Sequence, residues 1–143
     1  MKRLSAFLVL IFAVAAIAQT GPPQQNRLPA SDPWAFGPQN NTWNPSWNSR
    51  PNPSRGACIY TAVNFQGNHF CVRAGDSLPN LPGRFGNNIS SIQVFGRPRV
   101  QIFDSRNFRG GNTMITSNIP DLRRIRFRGG QTWNNRIVSL IVR

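Results

Sequence analysis

The sequence predicts an all-β sandwich made from two copies of one motif, carried on an exported chain. Three observations lead there. From residue 57 onward, short β-prone runs alternate with Gly, Asn and Pro turns, and no segment keeps a helical period. The same stretch repeats internally. It also holds the two cysteines of the chain, Cys58 and Cys71, whose even count in a small exported domain argues for a bridge.

The export signal comes first. Lys2 and Arg3 precede an apolar run from Leu4 to Ile17, which closes on Ala16-Ile17-Ala18, small residues of the kind a signal peptidase reads. The run is short of the ~20 residues that span a bilayer as a helix, and no Cys stands nearby for a lipid anchor. Residues 1–18 are therefore expected to be a cleaved signal peptide, leaving a secreted chain, extracellular or periplasmic, with no transmembrane segment.

Residues 19–56 are expected to be a disordered linker. Gln19 to Arg55 hold eight of the twelve prolines and six asparagines, with no apolar period that would offset the entropy of ordering them. Trp34, Trp43 and Trp47 lie here, either as anchors for a partner or packed back onto the domain.

Residues 57–143 form the domain, with strands expected over 57–63, 68–72, 90–95, 99–103, 112–116 and 137–142. Tyr60, Phe65 and Gly67 match Phe103, Phe108 and Gly110 at a constant offset of 43, and Phe85, Ser91, Ile92 and Val94 match Trp133, Ser139, Leu140 and Val142 at an offset of 48. The difference places five extra residues between Thr116 and Trp133, a stretch that contains Leu122 to Gly130. The motifs are bounded as 57–97 and 98–143.

These repeats resemble the Greek-key motif of the βγ-crystallin superfamily. Residues 60–67 and 103–110 look like its folded hairpins, 75–81 and 119–122 like the segments after each second strand, and Asn87 to Ser91 and Asn134 to Ser139 like its serine strands. The resemblance implies two four-stranded Greek keys packed face to face, each lending its third strand to the other's sheet. It extends to secreted crystallin-fold peptidase inhibitors in size, export signal and the Cys58-bearing first strand. In so small a core a Cys58–Cys71 bridge would contribute ~3 kcal/mol.

The resemblance also raises calcium, through the signature Asn/Asp, Asn/Asp, two variable residues, Ser/Thr, Ser. The first copy reads Gly86, Asn87, Asn88, Ile89, Ser90, Ser91 and lacks its leading residue. The second reads Asn134, Asn135, Arg136, Ile137, Val138, Ser139, with Val138 in place of a hydroxyl. Calcium takes ~6 to 8 oxygens, usually with carboxylates among them. The expectation is at most one weak site using Ser90, and no required cofactor.

Charge narrows the partners. Removing Lys2 and Arg3 from the 17 basic residues leaves 15, all Arg, against Asp32, Asp76, Asp104 and Asp121, a net charge of +11 without a single Glu. Such a chain is drawn to polyanions and is also kept soluble. Arg123, Arg124, Arg126 and Arg128 form the densest cluster, with Ile125 and Phe127 interleaved. It reads as a grip for anionic envelope polymers, with nucleic acid less favoured, or as a half-buried strand with a solvated face. A lone His69 and no Glu leave neither a catalytic base with a partner nor a paired carboxylate, so no enzyme is expected. The remaining roles are a structural or binding module, an inhibitor of an extracellular peptidase presenting residues 122–130, and an anion binder. Oligomeric state is not legible.

Overall fold

A computed structural model describes residues 45–49 and 51–143. The signal peptide, the linker over 19–44, residue 50, Trp34 and Trp43 lie outside the described residues. Among the described residues seven strands follow in order: β1 Gly56–Ala62, β2 Gln66–Arg73, β3 Ser77–Leu78, β4 Ser91–Phe95, β5 Val100–Ser105, β6 Arg109–Ile115 and β7 Ser139–Val142. They form two antiparallel sheets, one ordered β2-β1-β4 and the other β3-β7-β5-β6. Ile59, Phe70, Val72, Ile92, Val100, Ile102, Leu140 and Val142 fill the space between them and are fully buried.

The two motifs exchange their third segments, as the resemblance implied. β3 of the first pairs with β7 of the second, and Ile119 of the second bridges to Ile92 in β4 of the first. Sheet one nonetheless has three strands where four were expected. Pro120 directly follows Ile119 and has no N–H to extend the ladder, so the fourth strand shrinks to a single bridge. β3, only two residues long, was too short to stand out as a strand in the sequence.

Each hairpin folds over in the same way. Asn64, Phe65 and Gly67 have φ of 57°, 60° and 81°, and Asn107, Phe108 and Gly110 have 57°, 59° and 81°. Glycine at the third position admits this geometry without a Cβ clash. The aromatic pairs Tyr60–Phe65 and Phe103–Phe108 both meet edge to face with centroids 5.8 Å apart. The serines of the second repeat explain why the two offsets occur together. Ser91 Oγ donates to the Ala62 carbonyl at 2.6 Å and accepts the Phe65 N–H at 3.0 Å. Ser139 Oγ does the same to the Ser105 carbonyl and the Phe108 N–H, at 2.6 and 3.1 Å. A buried hydroxyl satisfied as both donor and acceptor thus pins each hairpin to its closing strand.

The last part of the expected linker is ordered onto the domain. Pro45–Ser49 form a 3-10 turn, and Trp47, 5% exposed, meets Phe70 edge to face at 6.4 Å. Asn48 Oδ1 accepts the His69 N–H at 2.9 Å, capping the outer edge of β2. Of the two readings of the tryptophans, packing onto the domain holds for Trp47. Cys58 and Cys71 are directly opposed on β1 and β2 and are joined as a disulfide. It is buried with Tyr60 in a small cluster on the outer face of sheet one.

Candidate functional site

The five residues of the calcium expectation do not form two self-contained sites. Asn87 donates its N–H to Ile137 of the other motif at 2.9 Å, and Asn135 donates its own to Ile89 at 2.8 Å. Each asparagine pair is therefore docked against the serine strand of its partner motif. Asn135 comes together with Ser90, whose Oγ lies 3.5 Å from Asn135 Oδ1. Asn87 and Asn88 face the strand that carries Val138, where no hydroxyl is available. The Asn134 Oδ1 is buried with no hydrogen-bond partner, an orphaned acceptor of the kind a cation satisfies. The side-chain donors on that side are neutral oxygens. Asp121, next to Leu122 whose N–H donates to the Ser90 carbonyl at 2.9 Å, has its carboxylate taken by Arg123. No group of three or more His, Cys, Asp or Glu gathers among the described residues. The residues fit a weak oxygen site on one side and none on the other.

The arginine-rich insertion is a short hairpin. Arg126 bridges to Thr132, Phe127 N–H donates to the Gln131 carbonyl at 2.8 Å, and Trp133 N–H to Ile125 at 2.9 Å. Gly129 and Gly130, at φ 62° and 78°, turn its tip. Arg123, Arg124, Arg126 and Arg128 are all exposed. Arg123 is held bidentately by Asp121, with Nε at 2.9 Å from Oδ1 and Nη2 at 2.9 Å from Oδ2. That hydrogen bond holds the Asp121 carboxyl below the usual range and the Arg123 guanidinium above its own.

Phe127 is half-buried and packs against the core. Its ring meets Trp133 at 4.8 Å and 73°, and the Arg136 guanidinium lies 5.3 Å from its centroid. The repeat explains this placement. In the first motif Phe70 packs on Phe85 at 4.6 Å and 88°. Trp133 is the counterpart of Phe85, but the counterpart of Phe70 is Thr113 and that of Asn68 is Gly111. Phe127 enters the space they vacate: a methyl group on Gly111 would stand 2.5 Å from its Cε2. The stretch that holds the insertion thus delivers an aromatic ring that the second strand no longer supplies. Sequence reading missed this because the substitution is made by a residue remote in the chain.

His69 lies on β2, half-buried and stacked on Tyr60 at 5.0 Å and 27°. Desolvation pushes its pKa down, opposed by a hydrogen bond with the Gly67 backbone. Desolvation likewise raises the Tyr60 hydroxyl, which donates to Gln93 Oε1 at 3.0 Å. No helix among the described residues is long and apolar enough to cross a membrane.

Residues 48–116 match the model of peptidase inhibitor family I36. That span runs from the asparagine that caps β2 to the end of β6, so it takes in the disulfide and both folded hairpins and stops short of the inserted loop. No curated protein matches the sequence. Among solved structures, one described with the evolution of the eye-lens βγ-crystallin domain fold is similar at 25% identity and a TM-score of 0.54, over 66% of this chain and 91% of that one. The βγ-crystallin from Ciona intestinalis is similar at 21% identity and 0.50, over 62% and 99%. The βγ-crystallin domain of Abundant Perithecial Protein from Neurospora crassa, in its Ca2+-bound form, is similar at 16% and 0.50, over 65% and 92%. These likenesses concern the fold, and the families matched are crystallin domains and peptidase inhibitors rather than enzymes.

Proposed function

We propose that this chain, a βγ-crystallin-fold protein, is a secreted, non-enzymatic binding module whose partner is an extracellular peptidase that it inhibits. The observation that carries this reading is the match of residues 48–116 to the inhibitor family. Physical features favour it. An inhibitor must lose little entropy on binding and must survive its target. The first hairpin is cross-linked, serine-pinned and capped along its edge, and the inserted hairpin is anchored through Leu122, Ile125 and Phe127 although it has no bridge of its own. The test is a panel of secreted metallo-, serine and cysteine peptidases titrated with residues 19–143 at submicromolar concentration. Stoichiometric inhibition of any member, with the protein recovered uncleaved, is expected; silence across the panel refutes the reading. Variants in the first hairpin and at Arg128 then locate the contact.

A second reading, a structural module with one weak calcium site, is favoured by the orphaned Asn134 oxygen and by the approach of the next residue, Asn135, to Ser90. Calcium there would be held by Asn134, Asn135 and Ser90, and it would tie the two motifs together across their exchange.

A further inference from the structure

We propose that the end of the sandwich where the two motifs are joined binds a tetrahedral oxyanion, phosphate or sulfate, gripped by Arg99 and Arg143. Arg99 donates its N–H to the Arg143 carbonyl at 2.8 Å, and Arg143 returns the bond at 2.9 Å. Residues that exchange both bonds are directly opposed in an antiparallel ladder, with Cα atoms about 5.5 Å apart and side chains on one face. The adjacent pair, Val100 and Val142, is fully buried in the core. Alternation along the strands therefore puts both arginines on the outer face, where both are exposed. Two like charges in that position destabilise a sheet. The packing of the fold does not require them, whereas a bound anion would reverse the sign of the interaction.

The surroundings add positive charge. Arg97 is exposed and adopts φ 55° immediately before Pro98, a left-handed conformation that a bulky residue holds only when its neighbours impose it. Arg55 comes alongside, because a methyl on Gly96 would stand 3.0 Å from its Cα. The turn after β2 joins them, since Gly75 donates its N–H to the Val142 carbonyl at 2.8 Å. That turn carries Asp76, whose carboxylate lies 3.6 Å from Arg73. Between it and residues 51–55 runs an open groove of about 440 Å³, with Arg55 and Arg73 in its wall. Even with a carboxylate at the end of the sequence added, three further arginines, Arg55, Arg73 and Arg97, outnumber the acids at this end.

The chemistry of the grip selects the ligand. A guanidinium presents paired N–H donors in one plane and suits the oxygens of phosphate and sulfate. Two opposed forks supply donors from two directions, which a tetrahedral anion fills better than a planar carboxylate. None of these residues belongs to the Arg123–Arg128 cluster, and the site is independent of the peptidase reading.

The test compares residues 19–143 as wild type, Arg99→Ser and Arg109→Ser. Arg109 is exposed and pairs with Ser105 at the opposite end of β5, so the last variant matches the charge change away from the site. In chloride, Arg99→Ser should melt roughly 2 °C above wild type as the repulsion is relieved. Inorganic phosphate at matched ionic strength should raise the melting temperature of wild type and Arg109→Ser and leave Arg99→Ser near its chloride value. On immobilised heparin, Arg99→Ser should elute at lower salt than Arg109→Ser. A gain with inorganic phosphate means that the free ion suffices; a selective loss seen only on heparin means that the oxyanion must come from a polymer. The proposal is overturned if phosphate stabilises all three proteins alike, as general exclusion of a kosmotrope would. It is equally overturned if the two variants weaken on heparin to the same extent with no selective gain in phosphate.

Discussion

Replacing Phe127 with Ala separates two accounts of the arginine-rich hairpin. If the ring substitutes for the aromatic missing at Thr113, its removal empties a pocket bounded by Trp133 and Gly111. A half-buried phenyl ring covers on the order of 100 Å² of apolar surface, worth about 2.5 kcal/mol at the usual transfer coefficient. Incomplete collapse of the pocket adds to this, so a loss of about 3 kcal/mol is expected. In a domain of this size each kcal/mol moves the melting temperature by ~4–8 °C, so differential scanning calorimetry should show a fall of more than 10 °C. Thr113→Phe alone should also destabilise, by overfilling the site, whereas the double variant Thr113→Phe/Phe127→Ala should recover part of the loss, giving a favourable coupling. A melting temperature for Phe127→Ala within about 2 °C of wild type would refute the substitution argument and return the ring to the role of a surface contact.

Other perturbations follow from the same structure. Removing the bridge as Cys58→Ala/Cys71→Ala should cost about 3 kcal/mol, read from urea midpoints, because it frees the loop between β1 and β2 in the unfolded chain. His69 resists protonation in the folded state, so below its ordinary pKa near 6.5 the unfolded chain binds more protons. Its contribution is complete above that value and is lost as pH falls through it; between pH 7.5 and 5, wild type should lose stability that His69→Gln retains. Calcium at 10 mM should raise the wild-type melting temperature by no more than a few degrees, and Ser90→Ala should abolish the gain. A shift that survives in Ser90→Ala would place the ion elsewhere.

Much of this fold could be read before any coordinates, and the reason is local. The folded hairpin needs an aromatic, a left-handed turn and a glycine at fixed spacing, and the serine that pins it must sit on an inward strand position. Those constraints leave marks at Tyr60, Phe65, Gly67 and Ser91 and again at Phe103, Phe108, Gly110 and Ser139. What stayed hidden depends on contacts between distant segments. Trp47 sits in a stretch whose composition signals disorder, and only Phe70 reveals that it has a docking place. That Phe127 fills a specific place could not be read among the arginines, because Gly111, which makes room for it, is remote in sequence. The division of the asparagines between motifs was likewise invisible, since each signature is contiguous along the chain while the hydroxyl or strand it meets lies on the other motif. The opposed Arg99 and Arg143 escaped notice for the same reason: their pairing is a property of register.

The exchange of β3 and Ile119 between the sheets makes this polypeptide equivalent to a homodimer whose subunits have been joined end to end. Neither half has a complete sheet of its own, so neither has a folded state to fall back on when the other opens. Loss of order must therefore be shared by both, and the domain should melt in one transition. The two halves differ in chemistry: one carries a disulfide and a tryptophan strap, the other an aromatic from the insertion region and a surplus of arginine. No obligate symmetric dimer can place different chemistry on its two faces in that way.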